Sequence, residues 1–207
     1  MALAIAPPVH ARETTTIPAD YTIAPLTVEQ YHAMAAAGIL EEGAPIELLE
    51  GYLVEKMTKH PPHTVATKLM QAALSQIAPA HCHVGVQEPI TLSDSEPEPD
   101  VVVVRGAIRD FAARHPGATE VALVVEVADA SLRRDRNAKR RIYARAAIAE
   151  YWIVNLLDAC IETYSEPGGG GLQAMYRRSA TWRSGDVIPV VIDGIEVGRL
   201  AVEDLLP

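Results

Sequence analysis

The chain has 207 residues, 49% of them hydrophobic and 22% charged, with a net charge of −9. This is ordinary globular usage and leaves little room for disorder away from the ends. The length suits one domain with a peripheral extension. The acid excess argues against a protein that binds nucleic acid through a broad basic surface, and no apolar run approaches the 18 residues of a membrane span.

The first residues, MALAIAPPVHARETTT, carry a short apolar run that Pro7-Pro8 interrupts and no basic residue precedes. They do not read as a signal peptide. Residues 1–24 are expected to form a flexible arm. Residues 25–207 are expected to form one domain, with a core at about 44–157 and a β-rich extension at about 158–207. Thr27-x-x-Gln30 is a capping-box pattern that opens a helix, and Gly38 stops it. Ile46 to Lys56 reads as two short strands around a Glu50-Gly51 turn. His63 to Ala78 predicts a second helix with Val65, Leu69, Ala73 and Ile77 as its apolar stripe.

A strand is expected from His83 to Leu92, then a proline-rich turn from Ser93 to Pro99. His81-Cys82-His83 has a metal-like composition, but three adjacent residues cannot easily close a tetrahedral site, so it reads as a strand start. Cys82 and Cys160 form no CxxC pair and no disulfide framework, which points to a reducing, cytoplasmic setting. Asp100 to Val104 and Val121 to Val127 are unbroken apolar runs, as in central strands covered on both faces. Asp135 to Ala147 predicts a helix with Asp135 as its N-cap, and Tyr151 to Asn155 a following strand. Strand, helix, strand implies a partly parallel sheet. Gly168 to Gly171 should join two edge strands. The segment from Trp182 onward, with turns at Ser184-Gly185 and Asp193-Gly194, reads as β-rich, and Val202 to Leu206 as a terminal helical turn.

Two acids border or interrupt the apolar strands: Asp100 starts one and Glu126 sits near the end of the other. A carboxylate in such a place must be paired, hydrogen-bonded or on a metal. Two converging at sheet ends make a hard-oxygen site of the kind Mg²⁺ prefers. Lys139 lies 13 residues past Glu126 on the following helix and shares a helix face with Tyr143. Each also admits a plain role: Asp100 as a strand start, Glu126 as the partner of Lys139, and Lys139 as a solvated cation. Tyr143 and Trp152 read as core residues. Arg133, Arg134, Arg136, Arg140, Arg141 and Arg145 read as a solvated helix face, and as the best candidate for a phosphate-contacting patch.

Pro99-Asp100, the strand holding Glu126 and the helix with Lys139 resemble the PD-(D/E)xK nuclease superfamily. More narrowly, the chain resembles the bacterial "putative restriction endonuclease" family, formerly a domain of unknown function. The matching stretches begin with Ile46-Glu47-Leu48-Leu49-Glu50-Gly51, His63 at the helix start, and Gln87-x-Pro89-Ile90-x-Leu92. They continue with Pro99-Asp100-Val101-Val102-Val103, Leu123-Val124-Val125-Glu126-Val127, Arg133-Arg134-Asp135-x-x-x-Lys139-x-x-x-Tyr143-Ala144 and Glu150-Tyr151-Trp152-Ile153-Val154. The resemblance runs from about Thr27 to Tyr164, and more loosely to the end.

The resemblance implies a restriction-endonuclease-like α/β fold, a central mixed sheet flanked by helices. It implies Asp100 and Glu126 as ligands of Mg²⁺ or Mn²⁺, with the Val127 carbonyl as a further oxygen. Glu47 would hold a metal-bound water. Ala128 stands where the plain motif has its lysine, so that role passes to Lys139. Asp129-Ala130-Ser131 replaces the usual Ser-Pro-Ser, and Tyr52 replaces a common acid. The implied activity is endonucleolytic hydrolysis of DNA by a homodimer. The alternative is a catalytically silent module that binds nucleic acid or protein through the same fold.

Overall fold

A computed structural model describes Asp20, residues 22–41 and residues 43–207. The expected N-terminal arm lies almost wholly outside the described residues. Helix α1 (Val28–Ala36) opens as its capping box requires. Thr27 Oγ1 accepts the Gln30 N–H at 3.2 Å, and the Thr27 N–H donates back to Gln30 Oε1 at 2.9 Å. Strands β1 (Ile46–Leu49) and β2 (Tyr52–Glu55) form a hairpin. Its turn places both Glu50 and Gly51 at positive φ, 52° and 80°, the twist that two-residue hairpins favour. A Cβ on Gly51 would stand 2.4 Å from that of Pro25, so only glycine fits there.

After α2 (Pro61–Ile77) come β3 (Cys82–Gly85), β4 (Val101–Arg105) and β5 (Val121–Ala128). A helix in two parts, α3 (Leu132–Arg134) and α4 (Arg140–Arg145), is joined by a wide π-type turn over Asp135–Lys139. Strands β6 (Glu150–Asn155), β7 (Cys160–Gly168) and β8 (Met175–Arg183) follow. β3 to β8 make one six-stranded sheet in chain order. Only β5 and β6 are parallel, linked by the α3–α4 crossover; the other pairs are antiparallel. Strands β9 (Val187–Ile192) and β10 (Ile195–Ala201) form a separate hairpin, and Val202–Asp204 make the expected terminal helical turn.

β5 is buried at every residue, as a central strand covered on both faces must be. One face, carrying Val102, Val104 and Val124, packs on Tyr143 and Ile142 of α4. The other, carrying Val101, Val103 and Val125, packs on Met70 and Leu74 of α2 and on Ile188 and Val190 of β9.

Five expectations need correction. The core face of α2 is Ala66, Thr67, Met70 and Leu74 with His63; Val65 is 44% exposed, and Ala73 and Ile77 only flank the core. This helix carries apolar residues around more than half its circumference, so periodicity alone cannot choose the side. β3 stops at Gly85, because Gln87 turns at φ 55°. The later helix begins at Leu132, so Asp135 is inside it and not its N-cap. β8 is a sheet edge but β7 is not. Finally, β7 and β8, assigned from sequence to a C-terminal extension, complete the central sheet, leaving β9 and β10 as the separate hairpin.

Candidate active site

Register brings the two motif acids together. Val101 pairs with Val125, so the next residues outward, Asp100 and Glu126, are neighbours across β4 and β5. Directly opposed side chains project from the same sheet face. Both line one cavity of about 40 Å³ with Glu47, Lys139, Asp135 and His63. Glu47 arrives from β1, which is tied to the sequence before β4 by the Glu96 N–H to Leu48 carbonyl bond at 2.7 Å.

Asp100 is held as a carboxylate. Its Oδ2 accepts the Val127 N–H at 2.9 Å, His63 Nε2 stands 3.2 Å from the same oxygen, and Lys59 Nζ lies 3.7 Å from Oδ1. Burial by itself would raise this carboxyl, but the His63 contact, the Val127 N–H and the charge of Lys139 outweigh it and hold it below the usual aspartate value.

Glu126 is held differently. Oε1 accepts two hydrogen bonds, from Lys139 Nζ at 2.9 Å and from the Tyr143 hydroxyl at 2.6 Å. Among the described residues no hydrogen bond reaches Oε2. Burial pushes this carboxyl up to about 8; Lys139 opposes the rise, and Asp135, Asp100 and Glu47 add to it. Lys139 also stands 3.3 Å from Glu47 Oε2, and those carboxylates overcome burial and hold its ammonium well above the ordinary lysine value. Such a lysine remains a cation and works as a charge and a donor. Burial, then the Glu126 charge, keeps Tyr143 neutral far above the ordinary tyrosine range.

Asp135 and Lys139 lie at the two ends of the π-type turn, four residues apart, and both are buried. Asp135 accepts the Ser131 hydroxyl at 2.6 Å, and burial raises its carboxyl. Such turns occur often at functional sites. Glu47 Oε1 is buried with no partner, an unsatisfied acceptor that a cation or water would relieve. The chemistry therefore fits a hard divalent ion: oxygen donors, excess acid and an orphaned buried oxygen. Among the described residues no three His, Cys, Asp or Glu side chains are gathered into a cage. Mg²⁺ is ordinarily held by one or two carboxylates with water completing its shell.

The structure thus gathers Asp100, Glu126, Lys139 and Glu47, and uses Val127 through its N–H. Sequence reasoning missed His63 as the partner of Asp100, although His63 opens a matching stretch. It also missed Tyr143, whose ring is core but whose hydroxyl holds Glu126. His81-Cys82-His83 is a strand start: His83 Nδ1 lies 2.8 Å from the Gly106 carbonyl oxygen, and His81 faces Asp193. The arginines do not form one solvated face. Arg136 pairs with Glu162, Arg141 and Arg145 with Glu50, and Arg140 lies over the Tyr164 ring.

A family model described as "Putative restriction endonuclease" (Uma2) matches residues 28–202. The chain belongs to this family. The gathered acids and lysine all lie inside the matched residues. Among solved structures, "a putative nuclease belonging to DUF820 from Anabaena variabilis ATCC 29413" is similar, with a TM-score of 0.63 and 13% sequence identity over 87% of this chain and 97% of that one. At that identity the likeness is one of fold, and it agrees with the restriction-endonuclease-like mixed sheet expected from the sequence. No curated protein matches the chain. No helix among the described residues is long and apolar enough to cross a membrane.

Proposed function

We propose that the protein is an endonuclease that hydrolyses DNA phosphodiester bonds with Mg²⁺ or Mn²⁺. The observation that carries this reading is the pairing of Asp100 and Glu126 in one cavity, with the Lys139 ammonium 2.9 Å from Glu126. Asp100, the unpartnered Oε2 of Glu126 and the Val127 carbonyl would hold the ion. Bound there, it would supply Lewis-acid polarisation of the phosphate and a water of lowered pKa.

The chain's own residues do the rest. His63 and the Val127 N–H fix Asp100 as an anion. Tyr143 and Lys139 hold Oε1 of Glu126, which leaves Oε2 for the cavity. Lys139, kept protonated, offsets negative charge on the pentacoordinate phosphorus in the transition state. Glu47 anchors Lys139 and offers its buried Oε1 to water. Two copies related by a two-fold axis, acting in the cytoplasm, would cut both strands of a duplex; C₂ dimers are the commonest oligomers.

Supercoiled plasmid incubated with the protein and Mg²⁺ or Mn²⁺ tests the activity. Asp100→Asn should reduce nicking by about 10²–10³-fold or more, the usual loss for one preorganised electrostatic group. Crystals soaked in Mn²⁺ should show anomalous density between Asp100 and Glu126. Intact plasmid under both ions, with no such density, would sink the reading. Light scattering over a range of concentrations tests the dimer, and a monomer mass throughout would refute it. The net charge of −9 favours the silent-module alternative, for which DNA or protein binding would persist with no cleavage at any metal concentration.

A further inference from the structure

The carboxylate cavity is too small for its substrate. At about 40 Å³ it has room for a few water-sized groups and not for a nucleotide. Its walls are also acidic on balance. A phosphodiester strand must therefore lie outside it, against groups that offset its charge.

Such groups stand next door. A groove of about 490 Å³ adjoins the cavity and shares Met57, Ser131 and Arg134 with it. Its remaining lining includes Ala130, Arg133, Asn137 and Ala138, and no carboxylate stands among the described residues that line it. On a chain of net charge −9 that is a local reversal of sign. Arg133 is exposed and enters no ion pair among the described residues. Arg134 donates through Nη1 to the Glu55 carbonyl at 2.8 Å, and its Nε is buried without a partner. The other arginines of this helix are engaged elsewhere, so these two guanidiniums are the ones directed to the groove.

One structural device serves both compartments. From one turn of helix, Asp135 and Lys139 line the carboxylate cavity, while Asn137 and Ala138, beside Arg133 and Arg134, line the groove. The small Ala130 and Ala138 keep the groove open, and Met57, 46% exposed, offers a polarizable wall for a base or sugar.

We infer that this groove is the backbone-binding track for the nucleic-acid strand next to the scissile phosphate, with Arg133 contacting a phosphate oxygen. The inference rests on the nuclease reading for the identity of the neighbouring cavity. Guanidinium–phosphate contact is independent of sequence and releases counterions.

The test is fluorescence anisotropy with a fluorescein-labelled DNA duplex and with its single strand, in EDTA, across a series of salt concentrations. Plasmid cleavage in Mg²⁺ is run in parallel. Arg133→Gln should weaken binding equally for unrelated sequences. It should reduce the slope of log K against log salt by about 0.9 if the ligand is duplex and about 0.7 if it is single-stranded. Arg133→Lys should keep the slope, because the charge remains. Arg177→Gln, at the far edge of the sheet on β8, removes the same charge and should leave the slope unchanged. An unchanged slope in Arg133→Gln, with a wild type that binds and cleaves, overturns the groove and spares the nuclease. A slope change confined to Arg133→Gln, with no cleavage by the wild type, supports the groove and sinks the nuclease. A wild type that neither binds nor cleaves overturns both.

Discussion

Glu126 and Glu162 flank the same residue. Both pair with Ile153, one from β5 and one from β7, and both are nearly inaccessible to solvent. Their fates differ. Glu162 accepts from Arg136 through both oxygens, from Asn155 Nδ2 at 2.9 Å and from the Tyr164 hydroxyl at 2.6 Å. Burial would raise its carboxyl, but these donors hold it below the ordinary glutamate value. Glu126 has two donors on one oxygen, three acids nearby and a carboxyl pushed up to about 8. A guanidinium fork can satisfy a whole carboxylate, whereas an ammonium shared with Glu47 cannot. Glu162 is a finished structural pair, and Glu126 is left short of positive charge, the condition expected of a group that takes a cation.

The largest effect should come from Lys139. Lys139→Ala should cost about 3–5 kcal/mol at about pH 9 in EDTA, because without the ammonium Glu126 is pushed above about 8 and its charge, once formed, meets no partner. The cost should shrink at about pH 6, where Glu126 stays protonated, and Mg²⁺ should restore part of it on the alkaline side. Urea unfolding at the two pH values, with and without Mg²⁺, measures all three. A variant as stable as the wild type on the alkaline side would break the comparison.

Arg136→Ala should cost less, about 1.5–3 kcal/mol and toward the lower end, since Arg136 is partly exposed and solvent screens its pair. Mg²⁺ should not restore it, and plasmid cleavage should stay within a few-fold of wild type. Dependence of this variant's stability on Mg²⁺ would mean that the two carboxylates are not separate systems.

The pH dependences should have opposite signs. Glu126 is raised on folding, so its contribution is complete below about pH 4.5 and is lost as pH rises through about 8. Glu162 is lowered, so its contribution is present above about pH 4.5 and is lost as pH falls through its folded value. Glu126→Gln should flatten the alkaline side of the stability profile in EDTA, and Glu162→Gln the acid side. Each change is at most about 1.4 kcal/mol per pH unit. The same side flattened by both would be the wrong outcome.

The smallest effects belong to the two tyrosines. Tyr143→Phe and Tyr164→Phe each remove one hydroxyl donor and should cost about 1 kcal/mol. Only Tyr143→Phe should raise the Mn²⁺ concentration needed for half-maximal cleavage, because it alone lets Glu126 turn. Equal metal dependence in both variants would remove the positioning role from Tyr143.

Much of this was readable in the amino-acid order. The unbroken apolar runs fixed β4 and β5 as central strands, and the acids at their ends marked the residues that the structure brings side by side. The family pattern supplied Lys139 and Glu47 by number. The capping box placed α1 to the residue, because a cap is a contact within one turn of chain. Failures came where the answer depends on what lies across the fold. Val65 and Ala66 are equally acceptable in a helix, and only the sheet beneath decides which is buried.

Asp135 illustrates the same limit. Its residue type suits an N-cap, but the helix begins earlier at Leu132, and Asp135 lies buried within its π-type turn. Nor does local sequence say which donors Glu126 and Glu162, both carried on strands of the central sheet, will meet. Residue order marked Asp100 and Glu126 for burial, since an unbroken apolar strand is a local pattern, but it did not mark Glu162 or Asp135. Tertiary structure alone decided which of the buried glutamates would be neutralised, because the donors that do so, Arg136 for Glu162 and Lys139 and Tyr143 for Glu126, are assigned by how one interrupted helix lies across the sheet.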